Sequence, residues 1–91
     1  MKYEILATGR FKKDLKAIMK RGYNIQLLQN VVSWLAGGNP LREKNKDHAL
    51  SGNWTGHREC HITSDWLLVY KIDNDILVLT LTRTGTHSDL F

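Results

Sequence analysis

The apolar residues of this chain change their spacing once, around residues 41–47, and that switch limits the folds open to it. Phe11, Leu15, Ile18 and Met19 recur every three or four residues, as do Ile25, Leu28, Val31, Val32 and Leu35. Each set makes one apolar stripe along a helix. Thr8 and Asn24 are N-cap residues for these helices, Gly22 supplies a left-handed turn between them, and Gly37-Gly38 with Pro40 ends the second. Leu41 to Asp47 is polar with no apolar period and reads as a loop. Beyond it the spacing becomes two, which is the period of a strand.

Strands are predicted over Trp54–Ile62, Trp66–Ile72 and Ile76–Arg83, with Asp73-Asn74-Asp75 as a hairpin turn and Lys2–Ala7 as a first strand ahead of the helices. Helices joined by so short a turn are antiparallel neighbours, and the sheet needs a cover for one face. The expected fold is therefore α+β: an N-terminal strand, then an antiparallel two-helix hairpin packed on one face of a small, twisted, mainly antiparallel sheet. Residues 1–91 suffice for one such domain and leave no room for a second core. The segment Thr84 to Phe91 is turn-rich and can fold back onto the sheet.

The charge is divided as sharply as the periodicity. Residues 1–46 hold ten Lys/Arg and three Asp/Glu, net +7, whereas residues 47–91 hold three against six, net −3. The cluster Lys12, Lys13, Lys16, Lys20 and Arg21 suits a polyanion, with nucleic acid the first partner to consider, or else forms a solvated helix face. No apolar run reaches the roughly 20 residues of a membrane span, and the N-terminus has no signal-peptide pattern. With a single cysteine, Cys60, the chain has no internal disulfide framework. The expected compartment is the cytoplasm.

All four histidines lie in the second half, and three stand in polar strings: Lys46-Asp47-His48, Arg58-Glu59-Cys60-His61 and Arg83-Thr84-Gly85-Thr86-His87. Histidine exchanges protons near neutral pH, so imidazoles converging beside fixed cations can break a phosphodiester without a metal. On the predicted strand, Trp54, Gly56, Arg58, Cys60 and Ile62 point one way, and Thr55, His57, Glu59 and His61 the other. Glu59 and His61 then share a face, where the carboxylate can orient the imidazole; the alternative is a polar, solvent-facing strand. His57 is expected at the rim. His48 and His87 are either exposed loop histidines or catalysts, depending on whether the fold brings them to His61.

Arg83 can clamp a phosphate or pair with a carboxylate such as Asp65. A metal site is not expected, because Cys60 and His61 project to opposite faces of a strand and no paired C-x-x-C or H-x-x-x-H spacing occurs. No cofactor is expected, and Gly37-Gly38 is a helix stop, not a phosphate-binding glycine loop, because the G-x-x-x-x-G-K-[ST] pattern is absent. Trp34, Trp54 and Trp66 are expected in or at the edge of the core.

Three strings, D-H-x-L-x-G-x-W at Asp47 to Trp54, R-[DE]-x-H at Arg58 to His61 and R-x-G-[TS]-H-x-x-L-F at Arg83 to Phe91, follow one another in the order strand, helix hairpin, meander. Together they resemble the RelE/ParE toxin superfamily over essentially the whole chain, and within it the YafQ-like branch. The resemblance implies a bacterial type II toxin, an mRNA interferase that cuts messenger RNA in the ribosomal A site. It also implies a co-encoded antitoxin of the DinJ kind that silences the toxin, expected to carry an acidic segment. By position, it implies His48, His61, Asp65 and His87 as the acid–base group, with Glu59, Arg83 and Phe91 lining the RNA site. Glu59 departs from an expected Asp, and the Lys/Arg/Tyr catalytic set of the RelE branch is absent. Two other functions belong to the same superfamily pattern: a ParE-like inhibitor of DNA gyrase that needs no histidine, and an inactive relative that binds only RNA or antitoxin.

Overall fold

The computed structural model describes residues 1–91. Strand β1 (Glu4–Ala7) leads to helices α1 (Gly9–Lys20) and α2 (Ile25–Ala36), followed by strands β2 (His48–Ala49), β3 (Arg58–Thr63), β4 (Trp66–Asp73) and β5 (Val78–Gly85) and a last short helix α3 (His87–Leu90). The five strands form one sheet in the order β1-β5-β4-β3-β2, with β1 parallel to β5 and every other pair antiparallel. This is the α+β arrangement that the change of period predicts.

Both helices begin as their sequences dictate. The Thr8 hydroxyl accepts from the Phe11 N–H and the Asn24 side chain from the Gln26 N–H, which satisfies amides that a helix start leaves unpaired. Between the helices Gly22 sits at φ +81, a conformation that costs glycine nothing and other residues strain. The stripes Phe11/Ile18 and Leu28/Leu35/Ala36 then pack on Cys60, Trp66, Leu68, Tyr70, Leu79 and Leu81, one face of the sheet. Burying each large apolar side chain of that set contributes roughly 1.5–3 kcal/mol.

The opposite face carries a smaller cluster, in which Leu67 and Val69 of β4 meet Leu90 of α3, with Leu50 and Trp54 against them. Strand β4 is thus covered on both sides, and Trp66 to Tyr70 are all buried.

The structure departs from the expectations at several points. Trp54 to His57 is not strand: Gly52–Trp54 is a 3-10 turn, and β3 starts only at Arg58. Trp54 therefore packs with Leu67 and Leu90, on the face opposite to the one that alternation assigns it. The β4–β5 turn is longer than three residues, because the Asp73 carboxylate accepts from the Asp75 and Ile76 N–H groups and Leu77 adopts φ +55 before β5 begins at Val78. The last residues are helical, and the stretch 41–47 contains a 3-10 turn, Glu43–Asn45. Trp66 is core, but Trp34 is 45% exposed and donates its indole N–H to the Pro40 carbonyl.

Candidate active site

Residues opposite one another in an antiparallel ladder place their side chains on the same face, so the pairing register locates the candidate residues. One row across the sheet reads His48, Glu59, Val69, Arg83, and the row beside it reads His61, Leu67, Gly85. Val69 and Leu67 belong to the cluster beneath α3, which puts both rows on the face away from the helical hairpin. The short pairing of β2 on β3 is what brings His48 to Glu59, a contact between positions with no periodic relation in sequence. Neighbouring strands lie about 4.8 Å apart, so His61 and Gly85, two strands distant, are roughly 10 Å apart along their row.

His48 is hydrogen-bonded at one ring nitrogen and faces a carboxylate with the other. Its Nδ1 lies 2.8 Å from the Lys46 carbonyl oxygen, which can only accept, so that nitrogen carries hydrogen. Nε2 faces Glu59, 3.6 Å from Oε1, and the Glu59 carboxylate is almost fully removed from solvent while the His48 ring is half exposed. A proton arriving at Nε2 therefore meets a fixed carboxylate. The preceding residue supports this placement from the other face: the Asp47 carboxylate receives the Arg58 guanidinium at 3.1 to 3.3 Å and the Tyr70 hydroxyl at 2.5 Å. Burial and the Asp47 hydrogen bond raise the Tyr70 phenol above its ordinary range, and the Asp47 hydrogen bond raises Arg58, so neither group changes charge near neutrality.

His61 is half-buried, with Nδ1 3.3 Å from the Ser64 carbonyl oxygen and its own carbonyl accepting from the Asn45 side chain at 2.8 Å. Asp65 is exposed in the turn with Ser64, at the same end of the β3–β4 hairpin, and does not pair with Arg83. Arg83 is instead clamped by Asp14 of α1 at 2.9 Å through Nε and Nη2, and Asp14 also accepts the Thr84 N–H. That hydrogen bond raises the Arg83 guanidinium further above its already high value.

Helix α3 brings the remaining residues to this face. Leu90 is buried on Leu67 and Val69, while His87 and Phe91, one turn apart, stack with ring centroids 5.3 Å apart. Phe91 meets Trp54 at 6.0 Å, and Trp54 meets His57 edge-on at 5.7 Å, so an aromatic series borders the rows. His57 is at that rim as expected, through Trp54 and not through strand alternation. Lys12, Lys13, Lys16 and Lys20 are exposed on α1, but Arg21 is engaged with Asp89 of α3 at 2.8 Å. Asp14, Asp47, Arg58, Tyr70 and Trp54 make contacts around these residues that residue spacing did not disclose; Asp47, Arg58 and Trp54 do lie in the quoted strings.

Over residues 3–91 the chain matches the family described as the YafQ bacterial toxin of type II toxin–antitoxin systems. It is 37% identical to the mRNA interferase toxin YafQ of Escherichia coli K12 over 89 residues, 97% of this chain and 95% of that protein. Among solved structures, the E. coli DinJ–YafQ complex superposes with a TM-score of 0.90 at 37% identity, covering 98% of each chain. A metal-bound toxin from Helicobacter pylori superposes with a TM-score of 0.91 at 45% identity, covering 98% of this chain and 99% of that one. In this chain no three His, Cys, Asp or Glu side chains gather as a group.

Proposed function

This chain belongs to the YafQ family of bacterial type II toxins, and on that premise we propose that it is a cytoplasmic mRNA interferase, cutting messenger RNA in the ribosomal A site and silenced by a DinJ-like antitoxin. The observation that carries the reading is the pair of adjacent rows, His48–Glu59 and His61–Leu67–Gly85, beneath a helix that delivers His87 and Phe91 to the same face. These residues lie far apart in sequence, and they serve no common purpose in the core.

His48 Nε2 takes the proton of the ribose 2′-hydroxyl, and Glu59 stabilises the imidazolium that forms. The 2′-oxygen attacks the phosphorus, the bond to the 5′-oxygen breaks, and His87 returns a proton to that leaving oxygen, giving a 2′,3′-cyclic phosphate and a free 5′-hydroxyl. His61 and the N–H groups of Arg83 that Asp14 does not use receive the charge growing on the phosphoryl oxygens, with Asp65 at the His61 end of the group. Phe91 offers a ring for a base to stack on, and the lysines of α1 face ribosomal RNA or an acidic antitoxin segment.

Primer extension on a translated message tests this. His87→Ala or His61→Ala lowers cleavage by about 10²–10⁴-fold while the fold and antitoxin binding persist, and a chelator leaves the wild type unchanged. Undiminished cleavage by both variants would falsify the assignment.

A further inference from the structure

Beside His61 lies a cleft of about 290 Å³ lined by Lys44, Asn45, Lys46, Thr63 and Ser64, with Ile62 its one apolar residue. No carboxylate lines it, and neither lysine takes part in any of the four ion pairs of the structure. The segment that carries the lysines is fixed at two points, and each point is a histidine of the proposed site. Asn45, 8% exposed, donates its amide to the His61 carbonyl, and the Lys46 carbonyl holds the His48 ring. Lys46 adopts a left-handed backbone, φ +48, that turns the chain between these two anchors. Lys46 and His48, two residues apart, have Cα atoms within about 7 Å of each other.

We propose that this cleft is a substrate subsite, in which Lys44 and Lys46 hold a backbone phosphate of the RNA strand next to the one being cut, while the Thr63 and Ser64 hydroxyls supply neutral donors. Two unpaired ammonium groups flanking a polar cleft with no competing anion attract a phosphodiester by counterion release. Their rigid link to His48 and His61 sets the distance from the held phosphate to the reacting one, which is how binding remote from the chemistry orients a substrate. The subsite deepens the nuclease reading and rests on it for the identity of the strand.

The test uses the purified full chain and a fluorescent single-stranded RNA oligonucleotide, protected by a 2′-deoxy sugar at the cleavage position, titrated across a range of salt. Replacing both lysines, Lys44→Ala with Lys46→Ala, is expected to weaken binding about tenfold and to flatten the slope of log affinity against log salt by about 0.7, the loss of one phosphate contact. A control that removes one charge elsewhere, Lys2→Ala, moves neither quantity comparably with the single variants Lys44→Ala and Lys46→Ala. On programmed ribosomes the loss falls in KM and only slightly in kcat. An unchanged oligonucleotide slope, a loss confined to kcat, or a loss seen only with ribosomes, which would assign the lysines to ribosomal RNA, each overturns the subsite. Failure of the nuclease reading looks different, because the wild type itself then leaves the message intact.

Discussion

At the scale of single residues, the chemistry of a side chain follows the face it occupies. Cys60 and His61 are neighbours in sequence, yet Cys60 is in the helix-side core while His61 is on the open face. Burial pushes the Cys60 thiol up to about 12, so it stays protonated and shielded; a thiol reagent at pH 8 is expected to label unfolded chains and leave native protein unmodified, as mass spectrometry would read. Glu59→Gln keeps the shape of its neighbour but removes the charge opposite His48. Cleavage should drop at least tenfold with the fold intact, whereas undiminished cleavage would detach Glu59 from the base. That Glu59 and His61 share a face was legible from their spacing of two. The partner of Arg83 was not, because Asp14 stands 69 positions earlier and reaches Arg83 only after α1 has packed on β5.

Among the elements, α3 is the one whose presence depends most on polar contacts. Thr86 and Asp89 form a reciprocal cap, each side chain accepting the other's backbone N–H, and Gly85 makes room for it, since a Cβ there would stand 3.0 Å from the Asp89 side chain. The Arg21 hydrogen bond, then the Thr86 N–H, lower the Asp89 carboxyl below its ordinary value of 3.8. A carboxyl with a depressed folded value contributes stability at any pH above its unfolded value and loses it as pH falls through the folded one. Arg21 stays charged throughout, so acidification below about 4 is expected to free α3 while α1 and the sheet persist. Amide resonances of Thr86 and Phe91 followed by NMR would report this, and Asp89→Asn should free the helix already at neutral pH. If those resonances hold their positions in acid, the cap is not what docks α3. Nothing in the apolar spacing announces a four-residue helix, because it is too short to show a period; the Thr86-x-x-Asp89 cap was the one local sign of it.

For the molecule as a whole, stability rests on the large core between the hairpin and the sheet, with Leu68 and Leu79 at its centre and wholly buried. Leu68→Ala should cost about 2–5 kcal/mol, a large part of the roughly 5–15 kcal/mol that holds a domain of this size. Urea titration measures it, and a loss under 1 kcal/mol would mean that the core collapses onto the gap. The charge halves also acquire meaning only here: the basic first half supplies α1 and the lysines beside His61, and the more acidic second half supplies Asp47, Glu59 and Asp89 as partners for cations.

The period of the apolar residues, read alone, determined the two long helices, the four longer strands, their order and the face of the sheet that the hairpin covers, since 3.6 and 2 are set by backbone geometry within each segment; it showed neither β2 nor α3. The ends of elements escaped it wherever a side chain competed with the ladder, as at Asp73 and around Trp54. Tertiary structure alone decided that β2 pairs with β3 to set His48 against Glu59, that Asp14 takes Arg83, and that Leu90 returns His87 to the sheet. Those contacts join residues with no periodic relation, and only the closing of the sheet and the burial of α3 bring them within reach.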